Sequence, residues 1–510
     1  MTERRPLYAL FFLAGVATLA TEISASRLLA PYYGSSTIVW ANLIGLVLAS
    51  LSLGYWLGGK LADRRPEAEV LGVIVVAAAV LVALTPFVAG PLLDVSVEGL
   101  DEASEGAAIG SFAATLLLFA PSVTLMGMAA PFAIRLALPD VQHAGAVAGR
   151  LYALSTVGSL LGTFLSALVA IPLIGTQRTM LLSAALLALG GGMLLRRRWL
   201  VLPLALAALL AVPPGAVKAS SGLIYEAESR YQYVQVVEKD GKRNLHLNEG
   251  IAVHSVWRPD TVLTGGVWDA FLTAPMLLER PPRRLAILGN AGGTIARAFG
   301  VYYPNVAIDG VEIDPEVSDV GREFFGLTDN PRLRVHDTDA RPFLRATDRR
   351  YDLIFVDAYH QPYVPFYLAT REFFRLVRER LRPGGGVALN VATVPGDDRL
   401  RDGLAGTLAA EFQEVRVWPA LRFNHLVFGL TRPLTTGIHP EYADAAGLGE
   451  LGRLLEHQLT QPIPRAERPW TDDRAPVEWI TDRMIVSYAA EGGRLDEDEL
   501  PTAPDDTNAP

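Results

Sequence analysis

The stretch "RRLAILGNAGGTIARAFGVYYPNVAIDGVEID", residues 283–314, decides the fold of the second half of the chain. It reads as an apolar strand, a glycine loop, a helix, a second strand and then an acid. Gly289 and Gly293 frame the loop as G-x-A-x-G. Glycines there let the backbone turn tightly and let a ligand approach without a Cβ in the way. The helix from Thr294 then presents its first N–H groups. A dinucleotide loop needs a further glycine to seat a pyrophosphate. This spacing is closer to a loop that receives the amino-acid or aminopropyl end of an S-adenosyl compound. Taken alone, it also fits an ordinary strand-to-helix turn.

The acids downstream narrow the choice. Strands are predicted at about 284–289, 306–311, 332–336, 352–357, 386–392 and 414–418, with an antiparallel return at 424–430 and helices between them. Glu312 closes the second strand, where a carboxylate can take both ribose hydroxyls. Asp339 follows the third strand in "HDTDARPFL", where a side-chain acceptor can meet an adenine amino group. Asp357 ends the fourth strand in "YDLIFVDAYHQPYVP". Ligands of open α/β sheets lie at the carboxyl ends of the strands. Each acid alone could be a helix cap; four features in order on successive strands point to a nucleoside site.

Upstream, "RYQYVQVVE" (230–238) and "NLHLNEG" (244–250) alternate like strands and predict a small antiparallel sheet. Before it lies a Pro/Gly/Ser linker, "PPGAVKASSG" at 213–222. Residues 1–215 carry 12 Lys+Arg and 11 Asp+Glu; the rest carry 33 and 43, so the net charge of −9 is +1 from the first part and −10 from the second. An acidic domain is a poor partner for nucleic-acid phosphates and permits a cationic substrate. The chain has no cysteine, which excludes disulfides, thiolate metal sites and a Cys nucleophile. His246, His254 and His360 are scattered and read as ordinary polar residues, so no metal site is expected.

The first part contains about seven apolar runs long enough to be membrane-helix candidates, near 7–30, 38–59, 70–91, 109–134, 147–172, 178–195 and 199–213. The first resembles a signal peptide in composition, but the spans behind it favour an uncleaved helix of a multi-pass protein. Basic residues place the N-terminus inside: Arg4 and Arg5, then Lys60, Arg64 and Arg65, then Arg135 and Arg150, then Arg196–Arg198. The loop with Asp94, Glu98, Asp101, Glu102 and Glu105 then lies outside. A spanning 199–213 segment would put the soluble domain outside the cell. At 15 residues, or about 22 Å of helix, it falls short of the hydrocarbon thickness and breaks at Pro213-Pro214. An interfacial segment anchored by Arg196–Arg198 keeps the domain cytoplasmic, and that is the expectation. Glu22 and Arg27, within or near the end of the first span, are either a buried structural pair or functional.

Two resemblances follow from these residues. "GYWLGGKLADRR", 54–65, resembles the loop between the second and third helices of major-facilitator transporters. From about 222 to 430 the chain resembles the spermidine synthase (polyamine aminopropyltransferase) family. The carrying residues are "ESRYQYVQV", "LNEG", "LTGGVWDAFLTAP", "ILGNAGGT", "VEIDPEV", "DTDARPFL", "VDAYHQPYVPFYLATREFF", "LRPGGGVALNV" and "TDDRAPVEW". With "YYGSSTIVWANLIGLVLASLSLGYWLGGKLADR", the whole chain is similar to bacterial membrane proteins that fuse a major-facilitator-like half to a spermidine synthase domain. The resemblance implies a transmembrane helical domain at 1–213, a linker at 214–222, a small β-sheet with a connecting helix at 223–282, a Rossmann-like S-adenosyl-binding domain at 283–488 and an acidic disordered tail at 489–510.

It also implies roles. Gln232 matches the glutamine that contacts the nucleoside, Glu312 the ribose-binding acid, Asp339-Ala340 the adenine-binding pair and Asp357 the catalytic base. Asp269, His360 and Tyr363 fall around the acceptor pocket. The chain departs from the family pattern at Asn290-Ala291, where an aspartate is usual in the glycine loop, and at His360, where a second aspartate is usual. The implied reaction moves an aminopropyl group from decarboxylated S-adenosylmethionine, a co-substrate rather than a tightly bound cofactor, to an amine such as putrescine. Two other readings stay open: an S-adenosylmethionine-dependent transferase with another acceptor, and a non-catalytic nucleoside-sensing transport protein. Expected partners are the amine, the S-adenosyl nucleoside and membrane lipid, with a homodimer left open.

Overall fold

A computed structural model of the chain describes residues 5–33, 37–100, 106–138, 144–195, 197–212, 218, 220–248, 252–359, 364–434, 437–445 and 447–490. The expected acidic tail beyond residue 490 and most of the expected linker lie outside them. The chain divides into two compact units, Met1–Ser220 with Glu226–Tyr233, and Ser221–Tyr225 with Val234–Pro510.

The first unit is helical: α1 (Arg5–Tyr33), α2 (Thr37–Arg64), α3 (Ala68–Leu100), α4 (Gly106–Leu118), α5 (Ala120–Ala137), α6 (Ala144–Leu165), α7 (Ile171–Gly192) and α8 (Val201–Ala208). Among the described residues, five helical stretches are long and apolar enough to cross a membrane by length and composition: Arg5–Tyr33, Val39–Arg64, Ala68–Leu93, Ala120–Ala137 and Ala144–Gly192. The last covers the fifth and sixth expected spans. It is broken at Gly175, whose φ of +80° and ψ of 165° are non-helical. Thr176, just past the break, donates its N–H to the Glu228 carboxylate. The fourth expected span divides at Phe119, before Pro121, which has no N–H to give a preceding turn. The seventh is only a short apolar helix, Val201–Ala211.

Small residues set how closely these helices pack. A Cβ on Gly158 or Gly162 of α6 would lie 2.3 or 2.2 Å from the Phe12 or Val16 carbonyl oxygen of α1. Gly54 and Gly58 of α2 meet the α5 backbone in the same way, at Thr124 and Met128. These small-xxx-small pairs bring the helix backbones into close contact. Asp63 and Arg135 pair at 3.7 Å across the ends of α2 and α5.

After the helices the chain forms a four-stranded sheet in the order β1 (Leu223–Glu228), β2 (Tyr233–Lys239), β3 (Lys242–Leu247), β4 (Val253–Trp257). The sequence pattern gave only the two middle strands. The β2–β3 turn is Asp240-Gly241, with φ of +53° and +74°, the two-residue hairpin turn that Asp-Gly favours.

The large sheet holds β5 (Arg284–Leu288), β6 (Ala307–Glu312), β7 (Leu333–Asp337), β8 (Tyr351–Val356), β9 (Leu381–Ala392), β10 (Glu414–Trp418) and β11 (Asn424–Leu430). Its order is β10-β11-β9-β8-β5-β6-β7, and β11 alone runs antiparallel to its neighbours. Every strand expected over 284–430 is present. Near-continuous apolar runs such as "LAIL" and "LIFV" bury both faces. Ala286, Leu288, Ile354 and Val356 face a layer with α12 (Ala340–Ala346), α13 (Arg371–Arg380), α14 (Arg399–Leu408) and α17 (Val477–Ala490). Leu285, Ile287 and Phe355 face the other layer, with α9 (Val267–Ala270), the tight helix Phe271–Leu277, α10 (Thr294–Tyr302) and α16 (Gly449–Gln458). Helix α11 (Pro315–Phe324) packs Val317 and Val320 against Val234, Val236, Leu245 and Leu247 of the small sheet.

The chain runs from β5 outward through β6 and β7, then returns to β8 on the other side of β5. Strand order therefore reverses at β5/β8, the place where open α/β sheets form a crevice. Gly289 sits there with φ +87°, and a Cβ on it would lie 2.4 Å from the Asp357 carbonyl oxygen. Gly289→Ala is expected to cost about 1–3 kcal/mol from backbone strain alone, and more from pushing back the end of β8. The denaturant midpoint of the α/β unit, followed by intrinsic fluorescence, measures it.

Candidate active site

The glycine loop is built by its neighbours. Gly289 and Asn290 both donate their N–H groups to the Val311 carbonyl at the end of β6, at 2.9 and 3.0 Å. Gly292 N–H donates to Ser255 Oγ of β4 at 2.8 Å, and Val256 N–H donates to Thr294 Oγ1 at 3.0 Å. The small sheet thus braces the loop and the start of α10. Gly293, in the left-handed region at φ +89°, begins that helix. Both expected glycines occupy backbone conformations that other residues rarely adopt.

Glu312 closes β6 beside this loop. Its Oε2 accepts from Ala291 N–H at 2.9 Å and its Oε1 from Asp314 N–H at 3.1 Å. Only 7% of it is exposed. Burial pushes its carboxyl up from 4.5 to about 7, against the backbone donors that favour the ionised form. Its two oxygens are acceptors, which is what a pair of vicinal hydroxyls needs.

Asp339 caps α12, accepting from Arg341 N–H at 2.8 Å, and its other oxygen accepts from the Tyr367 hydroxyl at 3.1 Å. Ala340 follows, buried at the first turn. The Arg341 guanidinium is clamped by both Asp472 oxygens, at 2.9 and 2.6 Å, and Asp472 also accepts from Thr370 Oγ1 at 2.7 Å. The distant "TDDRAP" stretch thereby fixes the helix that Asp339 caps.

Asp357 follows β8, its N–H donated to the Leu288 carbonyl at 2.9 Å. Asn390 Nδ2 of β9 donates to its Oδ1 at 2.9 Å. Burial pushes the Asp357 carboxyl up to about 6, while Asn390 and the nearby Trp268 side chain favour the ionised form. A carboxylate near that value accepts a proton well at neutral pH.

Asp269, which the resemblance puts near the acceptor pocket, is held by its own loop. Its carboxylate is turned into its own loop, accepting from Thr264 N–H (2.9 Å), Thr264 Oγ1 (3.0 Å) and Gly265 N–H (2.8 Å). It is 1% exposed and raised to about 6 by burial. The short α9 points Trp268, not Asp269, toward Asp357, because adjacent helical positions face different directions. Gln232 lies buried in the Ser229–Gln232 turn, grouped with the helical unit. His360 and Tyr363 lie outside the described residues. Among the described residues no cluster of His, Asp and Glu could hold a metal.

Trp268, Ser255, Tyr367 and Asn390 were not singled out from the sequence. Asn390 left a signal, a lone amide inside the apolar run "GVALNVA". The other three reach the site only through tertiary packing.

Residues 269–395 match the sequence profile of the family described as spermine/spermidine synthase domain. A Bifidobacterium longum protein named "Probable polyamine aminopropyl transferase" is 39% identical over 194 residues, 38% of this chain and 43% of that protein. The "Polyamine aminopropyltransferase" of Vibrio vulnificus is 29% identical over 201 residues, 38% of this chain and 66% of that protein. The mouse "eEF1A lysine and N-terminal methyltransferase" is 28% identical over 204 residues, 38% of this chain and 28% of that protein. The chain spans less than half the length of the first of these relatives.

Glu312→Ala is expected to weaken binding of an S-adenosyl nucleoside by about 1.5–3 kcal/mol, the range for hydrogen bonds to a charged group. Since the free carboxyl titrates near 7 and the ionised form is the better acceptor, parental affinity falls as pH is lowered through that value. Glu312→Gln loses the pH dependence. Calorimetry across neutral pH reads both.

Proposed function

We propose that the α/β unit is an aminopropyltransferase, moving an aminopropyl group from decarboxylated S-adenosylmethionine to an amine such as putrescine. One observation carries this: the half-buried Asp357 carboxylate stands at the end of β8, whose backbone touches the glycine loop at Gly289. The match of residues 269–395 supports it. An amine nitrogen attacks the methylene carbon next to the sulfonium. The carbon–sulfur bond breaks, its electron pair stays on sulfur, and a neutral thioether nucleoside leaves. The amine must first shed a proton it holds with a pKa of about 10, and Asp357 accepts that proton or orients the amine by a hydrogen bond. Glu312 takes the ribose hydroxyls, and Asp339 with Ala340 lines the adenine. The family resemblance assigns Gln232 to the nucleoside and His360 and Tyr363 to the acceptor. A nucleoside of this kind is a co-substrate, released each turn.

A second reading has a specific observation behind it. With Asp269 spent on its own turn, the acceptor side has one carboxylate fewer for a distal ammonium. An S-adenosylmethionine-dependent transfer to another acceptor fits that loss, and a methyltransferase is among the relatives matched. Calorimetry with decarboxylated and ordinary S-adenosylmethionine separates the two readings. Asp357→Asn keeps the shape and removes the base; turnover is expected to fall by about 10²–10⁴ with nucleoside affinity nearly intact. Turnover near the parental rate would reduce Asp357 to a strand-end residue.

The helical unit is proposed to sit in the cell membrane with the α/β unit on the cytoplasmic side, where S-adenosyl compounds are made. The Val201–Ala211 helix supports this placement. At about 16 Å it is too short to cross about 30 Å of hydrocarbon, so it lies along the interface beside Arg196–Arg198. A reporter fused after Gly222 and active on one side only is expected to report the cytoplasm. An extracytoplasmic signal would make ligand sensing the leading role.

A further inference from the structure

We propose that Asn390 and Asn424 are positioning residues: a one-way chain of amide hydrogen bonds that fixes which face of Asp357 stays free for the acceptor. This rests on the reading of Asp357 as the proton acceptor.

Asn390 lies on β9, the strand paired with β8 in register Val356↔Leu389. Its neighbours Val387, Ala388, Leu389 and Val391 are all buried and apolar. An amide in such a run costs stability unless its polar atoms are satisfied. Both are. Asn390 Nδ2 donates to Asp357 Oδ1 at 2.9 Å, and Asn390 Oδ1 accepts from Asn424 Nδ2 at 3.0 Å. A carboxamide turned by half a rotation would oppose its oxygen to the carboxylate. Asn424, at the start of β11 and two residues before the Leu426↔Asn390 pair, removes that option by occupying the oxygen with a donor. Asn390 therefore always presents N–H to Asp357.

The backbone around the chain is clasped as well. The Tyr359 hydroxyl donates to the Asn390 carbonyl at 3.0 Å and accepts from Ala392 N–H at 2.8 Å. That ties the loop after β8 to β9. With Oδ1 held by Asn390 and Trp268 close by, Asp357 Oδ2 is the oxygen offered to the acceptor. Among the described residues, the titratable groups on the surrounding elements are already engaged or distant. Tyr359 is spent on β9, Asp269 of α9 is turned to Thr264 and Gly265, and His425 of β11 is bonded to Thr393. β5 and β9 carry their charges, Arg284 and Arg382, at the opposite end of the sheet.

The test reads the Asp357 carboxylate directly in the full-length protein, by isotope-edited infrared titration with Asp357→Asn as the subtraction. Asn390→Leu removes the donor and keeps the bulk; the midpoint is expected to move up by about one to two pH units. Asn424→Ala touches neither the carboxylate nor any reacting atom, yet is expected to move it up by a smaller step. In turnover the acidic limb of kcat/KM shifts with the midpoint while nucleoside affinity holds; a purely structural defect lowers the rate without moving the limb. Titration at the parental midpoint in both variants overturns the proposal. If Asn390→Leu does not fold, the midpoint of Asn424→Ala decides alone. The infrared midpoint needs no turnover. A protein that shows the shifts but transfers no aminopropyl group retires the functional reading and keeps the positioning chain.

Discussion

The second unit depends on one close approach, the contact between the turn after β5 and the end of β8. Only a residue without a Cβ, held at positive φ, lets the Asp357 backbone pass so near Gly289. That contact sits where strand order reverses, so it sets the floor of the crevice. Asp357 on one side and Glu312 on the other are placed by strands that share β5 as neighbour. Leu288 and Val311 carbonyls take the backbone donors that would otherwise be orphaned at the strand ends. The loop is thus fixed before any ligand arrives, which limits the ordering cost of binding.

Burial then sets the electrostatics. Glu312, Asp357 and Asp269 are all raised by desolvation, to about 7, 6 and 6. A carboxyl whose folded pKa exceeds its unfolded one binds its proton more tightly in the fold. The stability it contributes is full below the ordinary carboxyl range and is lost as pH rises through these folded values. Near neutrality the three acids therefore burden the fold, a cost typical of groups kept for chemistry. The three differ in their partners. Glu312 is held by backbone donors, Asp357 by the Asn390 amide, and Asp269 by the donors of its own loop.

The helical unit obeys a different economy. Its helices are apolar on most faces, so packing rests on backbone proximity at glycine pairs such as Gly158/Gly162 and Gly54/Gly58. Its irregular points are local. The break at Gly175 leaves an N–H that Glu228 accepts, and that carboxylate is raised by its own burial. The hairpin tip that holds Glu228 is grouped with the helices, although its strands continue into the small sheet.

The local pattern of the chain determined the large sheet strand by strand. Apolar runs of strand length, the glycines at 289 and 293 and the acids at 312, 339 and 357 are all near-neighbour features, and local sterics fix them. The long apolar helices were equally legible, because hydrophobic length is additive along the chain. Their breaks were not: nothing in "IPLIGTQ" distinguishes a positive-φ glycine from a helical one until neighbours compete for the freed N–H. Tertiary structure alone decided the partners. Asp269 and Trp268 are adjacent in sequence, and only the packing of α9 against the sheet determined which of them meets Asp357. Asn390 and Asn424 lie on different strands, and only the antiparallel register of β11 brings their amides together. Asp472 holds Arg341 across more than a hundred residues. Sequence spacing carries periodicity, but a hydrogen bond between distant residues depends on register and direction, and these exist only once the sheet has formed.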